Sequence, residues 1–177
     1  DHWPLQDGLA LIESQSEANG GGPYNLLKDL RALGVTYPLE AVALIGEDPL
    51  GDYILSDLRK ARIGIDCIHR STTAPTSYTD VMTVRGSGRR TFFHQAGSNA
   101  LLDVDHFNFE GLPGRIFYLG YPLLLDTLDQ FRPDGKTGAF HVLREASRHG
   151  FETVVDLVSV DNPEGAVIVK GLPGQVD

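Results

Sequence analysis

Gly20-Gly21-Gly22-Pro23-Tyr24-Asn25 is the stretch whose residue types and spacing could do chemistry. Three consecutive glycines remove every Cβ from one short segment, so a ligand can lie directly against backbone. Pro23 fits the first position of a helix, where its missing N–H costs nothing. Asn25 then falls in that helix's first turn, among backbone N–H groups with no partner inside the helix. Free donors and an amide facing one small space make a site for a ligand rich in hydroxyls. The same residues also fit a plain glycine-rich turn entering a helix.

Other chemistries find less support. The six histidines form no pair at a familiar metal-ligand spacing, and the single cysteine, Cys67, permits no internal disulfide. A structural zinc is not expected, and Cys67, between Asp66 and Ile68, reads as a partly buried strand residue. No Walker A pattern occurs, which excludes a P-loop kinase. Gly20-x-Gly22-x-x-Asn25 falls short of the dinucleotide fingerprint, because Asn25 replaces the third glycine and the polar run Ser14 to Asn19 stands where a buried strand is required. With 15 Lys and Arg against 24 Asp and Glu, the net charge of −9 argues against a general grip on nucleic acid or an anionic membrane. No stretch has the apolar length of a membrane span, and no signal-like segment opens the chain, so a cytoplasmic location is the default.

The elements that must position the glycine run follow from periodicity. At 177 residues, 41% hydrophobic and 22% charged, the chain has material for one α/β domain with a real core. Leu9 to Glu13 reads as a short strand. From Pro23, Leu26, Leu27, Leu30 and Leu33 share a helical face that Gly34 ends. Ala41 to Ile45 is apolar without alternation, as in a strand covered on both faces. Asp48 can cap the next helix with Pro49 at its first position, and Leu50, Ile54, Leu58 and Ala61 form its buried stripe. Helix, buried strand and helix make a parallel α/β unit. Ser77 to Val84 and Arg89 to His94, joined at Gly86-Ser87-Gly88, read as a hairpin with at least one wet face, placed outside the main sheet. Together with Leu9 to Glu13 it could form a small sheet over the glycine site, giving lid elements at about 9–14 and 77–95. Ile116 to Leu119 and Thr153 to Val158 are buried strands. Leu124, Leu128 and Phe131 share one helical face, and Ala139, Val142, Leu143 and Ala146 another. Gly165 to Lys170 reads as a further strand. Only Ser159 to Glu164 separates it from the previous one, whereas parallel strands need a crossover of about a dozen residues. That leaves an antiparallel return or residues missing near Pro163 and Glu164, of which missing residues are favoured.

Taken in order, the Gly20 to Asn25 stretch, Leu33-Gly34, Leu44-Ile45-Gly46-Glu47-Asp48-Pro49-Leu50-Gly51, Gly64-Ile65, Arg89 to Phe93 and Gly97-Ser98-Asn99-Ala100 resemble the ribokinase-like, PfkB-type family of carbohydrate and nucleoside kinases. The resemblance runs from Asp1 to about Val158, and Gly20 to Gly51 is its most specific part. It implies a mostly parallel sheet flanked by helices with a small β-lid. It also implies transfer of the ATP γ-phosphoryl group to a sugar or nucleoside hydroxyl with Mg2+ present, a reaction governed by positioning and charge stabilisation. A monovalent cation could assist.

Carried over residue by residue, the resemblance implies substrate binding by Asp1, Gly21, Gly22, Asn25 and Asn99. Tyr24 departs from the small residue usual in the family, and its phenol either narrows the pocket or packs in the core. Asp48 reads as a helix cap. Tyr78, Phe93 and His94 of the lid could reach substrate or pack within the hairpin. The family's Gly-Ala-Gly-Asp stretch, which carries its catalytic base, is absent, and Val176-Asp177 looks like the approach to it. No catalytic residue is therefore placed, and both ends of the chain, Asp1 and Asp177, look cut. The expected partner is a sugar or nucleoside-like small molecule, and the open lid edge offers a surface for homodimer pairing. The rival reading is a non-catalytic sugar-binding or regulatory protein on this fold.

Overall fold

The computed structural model describes residues 3–158 and 163–172. Asp1 lies outside them. In chain order the elements are α1 (Gly22–Ala32), β1 (Glu40–Gly46), α2 (Pro49–Lys60), β2 (Gly64–Ser71), β3 (Tyr78–Thr83), β4 (Arg90–Gln95), β5 (Ile116–Gly120), α3 (Asp126–Asp129), α4 (Gly138–Arg148), β6 (Glu152–Asp156) and α5 (Gly165–Lys170). Two short 3-10 turns, Gly97–Leu101 and Val104–His106, lie between β4 and β5.

The fold is α/β, with parallel strand pairs flanked by helices. β1 pairs with β2 in parallel and β5 with β6 in parallel, while β3 and β4 form an antiparallel hairpin. The unalternating run Ala41 to Ile45 behaves as its composition requires: Ala41, Leu44 and Ile45 are buried. Leu44 joins Phe117 and Leu119 of β5 and Val142, Leu143 and Ala146 of α4 in one core, so the two parallel pairs share a hydrophobic interior without sharing a hydrogen-bonded ladder among the described residues. A second cluster sets Tyr24 and Leu27 of α1 against Ala41, Leu58 and Ile63. That cluster is what docks α1, although no residue of the helix is fully buried.

Three sequence expectations are corrected. Leu9 to Glu13 is not a strand. It finds no ladder partner, its Leu9, Leu11 and Ile12 stay 93%, 89% and 71% exposed, and it touches the hairpin through an Arg85–Glu13 ion pair of 2.5 Å, with Trp3 further upstream stacked on Phe93. Gly165–Lys170 is a helix: Ile168 and, four residues on, Leu172 are buried while Val167 stays exposed, and a short apolar run cannot declare its period unaided. With no second strand there, the crossover objection loses its basis. The face expected over Leu124, Leu128 and Phe131 shrinks to the four-residue α3, because Asp129 turns its carboxylate back to accept from the backbone N–H of Leu123 at 2.8 Å and Leu125 at 2.9 Å. Phe131 is left exposed.

Candidate substrate site

Gly21 is the N-cap of α1, with φ 95° and ψ 151°, a conformation that disfavours any residue with a Cβ. No side chain caps this helix end, so its first-turn N–H groups face outward. Asn25 closes the first turn through its backbone N–H to Gly21 O at 2.9 Å, and its exposed side chain makes no hydrogen bond among the described residues. A Cβ built on Gly20 or Gly21 would meet nothing within 4 Å, which leaves open space against the backbone there. Gly22 differs. A Cβ on it would lie 2.8 Å from Cζ and the hydroxyl of Tyr121 and 3.0 Å from Asp156 Oδ2.

The head of α1 therefore sits against the carboxyl ends of β5 and β6, where ligands of parallel α/β sheets gather. Pro23 makes the same contact from the helix side, since a Cβ on Gly120 would lie 3.2 Å from its Cδ. Tyr118 donates to Asp156 Oδ2 at 2.5 Å, tying the two strand ends together. Burial first, and then the bond to Asp156, pushes the Tyr118 hydroxyl up, so it remains a donor.

Tyr24 faces the other way. Its hydroxyl donates to Asp57 of α2, and Lys28 Nζ reaches the same carboxylate oxygen at 2.9 Å. The bonds from Tyr24 and Lys28 hold the Asp57 carboxyl below the usual aspartate range, while burial and the Asp57 bond raise the Tyr24 phenol. This side chain clamps α1 to α2.

Asn99 stands apart from the glycine run. It lies on the turn Gly97–Leu101, which is pinned beneath the carboxyl end of β1 by the buried Ser98: Ser98 Oγ donates to Leu44 O at 2.7 Å and Ser98 N to Pro75 O at 2.7 Å. The structure thus brings Gly21, Gly22 and Asn25 together at one helix head and gives Asn99 no hydrogen bond to them. Asp156, Tyr118 and Tyr121 were missed in the sequence. Their one signal was position, at the carboxyl ends of β5 and β6, strands expected to be buried throughout but in which Phe117, Leu119 and Thr153 are buried while Ile116 and Val154 are exposed.

The pfkB family carbohydrate kinase model matches residues 1–131. The chain belongs to that family. Among solved structures, fructokinase from Xylella fastidiosa matches at 21% identity with a TM-score of 0.68, over 92% of this chain and 52% of that one. The same enzyme with bound ATP matches at 23% identity and a TM-score of 0.66, over 86% and 48%. Ribokinase from Giardia lamblia matches at 18% identity and a TM-score of 0.71, over 99% and 51%. At such identities these likenesses establish the fold. The chain spans about half the length of these structures. A comparison with curated proteins returned no match.

As a pfkB-family chain it carries the sugar-kinase assignment at family level. Among the described residues no group of three or more His, Cys, Asp or Glu side chains could hold a metal ion. No helix among them is long and apolar enough to cross a membrane. The β3–β4 hairpin is exposed on both faces along all of Tyr78–Thr83 and Arg90–Gln95. Thr79 Oγ1 and His94 Nδ1 bond each other across it at 2.8 Å, which turns His94 toward its own hairpin.

Proposed function

We propose that the complete protein transfers the γ-phosphoryl group of ATP to a hydroxyl of a sugar or related small polyol. The acceptor lies against Gly21, Gly22 and Asn25, beneath the β3–β4 hairpin. One observation carries this reading: an uncapped helix head with open space at Gly20 and Gly21, an unengaged Asn25 amide, and strand ends of a sugar-kinase fold behind it. The chain's residues have a binding and orienting task here. First-turn N–H groups and the Asn25 amide hold hydroxyls at fixed positions, and such positioning is a large part of phosphoryl-transfer catalysis. ATP and Mg2+ enter with the family. Asp1 and Asn99 belong to the same proposal as further contacts to the acceptor. We place the protein in the cytoplasm, and we assign the exposed hairpin, with Val81, Met82, Phe92 and Phe93 on its surface, to a homodimer contact.

Phosphoryl transfer by the complete protein across a panel of sugars, polyols and nucleosides tests the activity. Transfer to at least one member is expected. ATP left intact with every acceptor, in a protein that still binds a sugar, would instead establish a binding or regulatory protein on this fold.

A further inference from the structure

The glycine run was open to any hydroxyl-bearing ligand, and the charge of that ligand was undetermined. The wall behind it is specific. Asp156 and Tyr121 reach Gly22 from the ends of β6 and β5 closely enough that a Cβ there would lie 3.0 Å from Asp156 Oδ2 and 2.8 Å from the Tyr121 hydroxyl. Both side chains are half-buried. Tyr118 takes Oδ2 of Asp156 at 2.5 Å, which fixes the carboxylate in place and leaves its second oxygen without a hydrogen bond among the described residues. The Tyr121 hydroxyl likewise makes none there. No lysine or arginine among the described residues pairs with Asp156. A carboxylate oxygen with spare lone pairs accepts from hydroxyls, and an aromatic ring beside it offers a face to C–H groups.

We propose that Asp156 and Tyr121 are substrate-binding residues that restrict the acceptor to an uncharged sugar or polyol, Asp156 accepting a hydroxyl and rejecting sugar acids and sugar phosphates. This inference rests on the placement of the acceptor against Gly21, Gly22 and Asn25. An anionic acceptor would bring a like charge beside an uncompensated carboxylate in a partly desolvated corner, an arrangement that costs affinity. Tyr118 is a positioning residue, since it acts by orienting Asp156.

The test is titration calorimetry of the complete protein with a neutral sugar, its phosphate monoester and its aldonic acid, alongside turnover of ATP with each. The wild type is expected to favour the neutral sugar. Asp156→Asn should weaken that sugar about tenfold or more, as loss of a bond to a charged group does. It should also narrow the preference over the aldonic acid and leave the KM for ATP unchanged, which a merely structural role would not produce. Tyr121→Phe, which keeps the ring, decides the matter if Asp156→Asn fails to fold, with a weakening of about threefold to tenfold expected. Tighter binding of the acid or the phosphate, or neutral-sugar affinity unchanged in the folded variant, overturns the inference. The two readings separate cleanly. Sugar binding lost in Asp156→Asn without any ATP turnover upholds this inference and sinks the kinase, whereas turnover of a neutral sugar with Asp156→Asn affinity intact does the reverse.

Discussion

Asp48 and Thr76 are joined by two hydrogen bonds, from Thr76 N to Asp48 Oδ2 at 2.6 Å and from Thr76 Oγ1 to Asp48 Oδ1 at 2.7 Å. The same carboxylate caps α2 by accepting from Gly51 N at 2.8 Å, and Thr76 Oγ1 accepts from Gly46 N at 2.9 Å. One aspartate therefore locks the end of β1, the start of α2 and the strand stem that leads into the hairpin. Asp48→Ala removes a helix cap and orphans donors of Thr76, which is 2% exposed, so a loss of about 2 to 4 kcal/mol in denaturant unfolding is expected. A loss below about 0.5 kcal/mol would mean the lock is not formed.

The pH dependence of this lock has a definite sign. Burial alone would raise the Asp48 carboxyl, but the bonds from Thr76 and Gly51 and the charge of Arg70 outweigh it, and the group is held below its ordinary value. Its contribution is then complete above the unfolded aspartate value of about 3.9 and drains away as pH falls through the lower folded value. Unfolding midpoints followed downward from neutral pH should fall more steeply below about pH 4 in the wild type than in Asp48→Asn. Parallel curves would contradict the assignment.

Tyr24→Phe separates a clamp from a pocket residue. Because the hydroxyl is spent on Asp57, the variant should lose about 1 kcal/mol of stability with acceptor KM unchanged. A shift in KM without a change in stability would put the phenol in the pocket instead.

Much of this architecture was legible because its signals are local. Asp48-Pro49 announced a capped helix, Gly86 to Gly88 a hairpin turn, and Ala41 to Ile45 a buried strand, each through residues within a few positions of one another. What escaped depended on partners far along the chain. Leu9 to Glu13 has strand composition but pairs with no strand among the described residues. Gly165–Lys170 is too short to display a period until the fold buries Ile168 and Leu172. In the site, the glycines and Asn25 could be found from spacing, whereas Asp156 and Tyr121 are 134 and 99 residues from Gly22 and meet it through the fold alone.

The three glycines should not respond alike. Gly20→Ala meets no protein atom and should leave the fold and the thermal midpoint nearly untouched. Gly22→Ala drives its methyl group into Tyr121 and Asp156 and should raise acceptor KM about tenfold or more, with a thermal midpoint lowered by several degrees. Equal, mild effects on the thermal midpoint at both positions would show that the wall does not press on Gly22.

The register of α5 is checked by charge. Ala166 is exposed on a helix but would share a face with buried Ile168 on a strand. Ala166→Glu should therefore cost less than about 0.5 kcal/mol, and Ile168→Ala about 2 to 4 kcal/mol, in the same unfolding assay. A strongly destabilising Ala166→Glu would restore the strand.

The central claim, that the head of α1 holds a hydroxyl-bearing acceptor, is tested most directly by Asn25→Ala. The Asn25 side chain is exposed and makes no hydrogen bond among the described residues, so its removal should leave the thermal midpoint unchanged. Calorimetric titration of the complete protein with its sugar should show affinity lowered by about tenfold, the loss of one or two hydrogen bonds to substrate, with ATP affinity unaltered. Sugar affinity equal to the wild type in a stable Asn25→Ala protein would contradict the account.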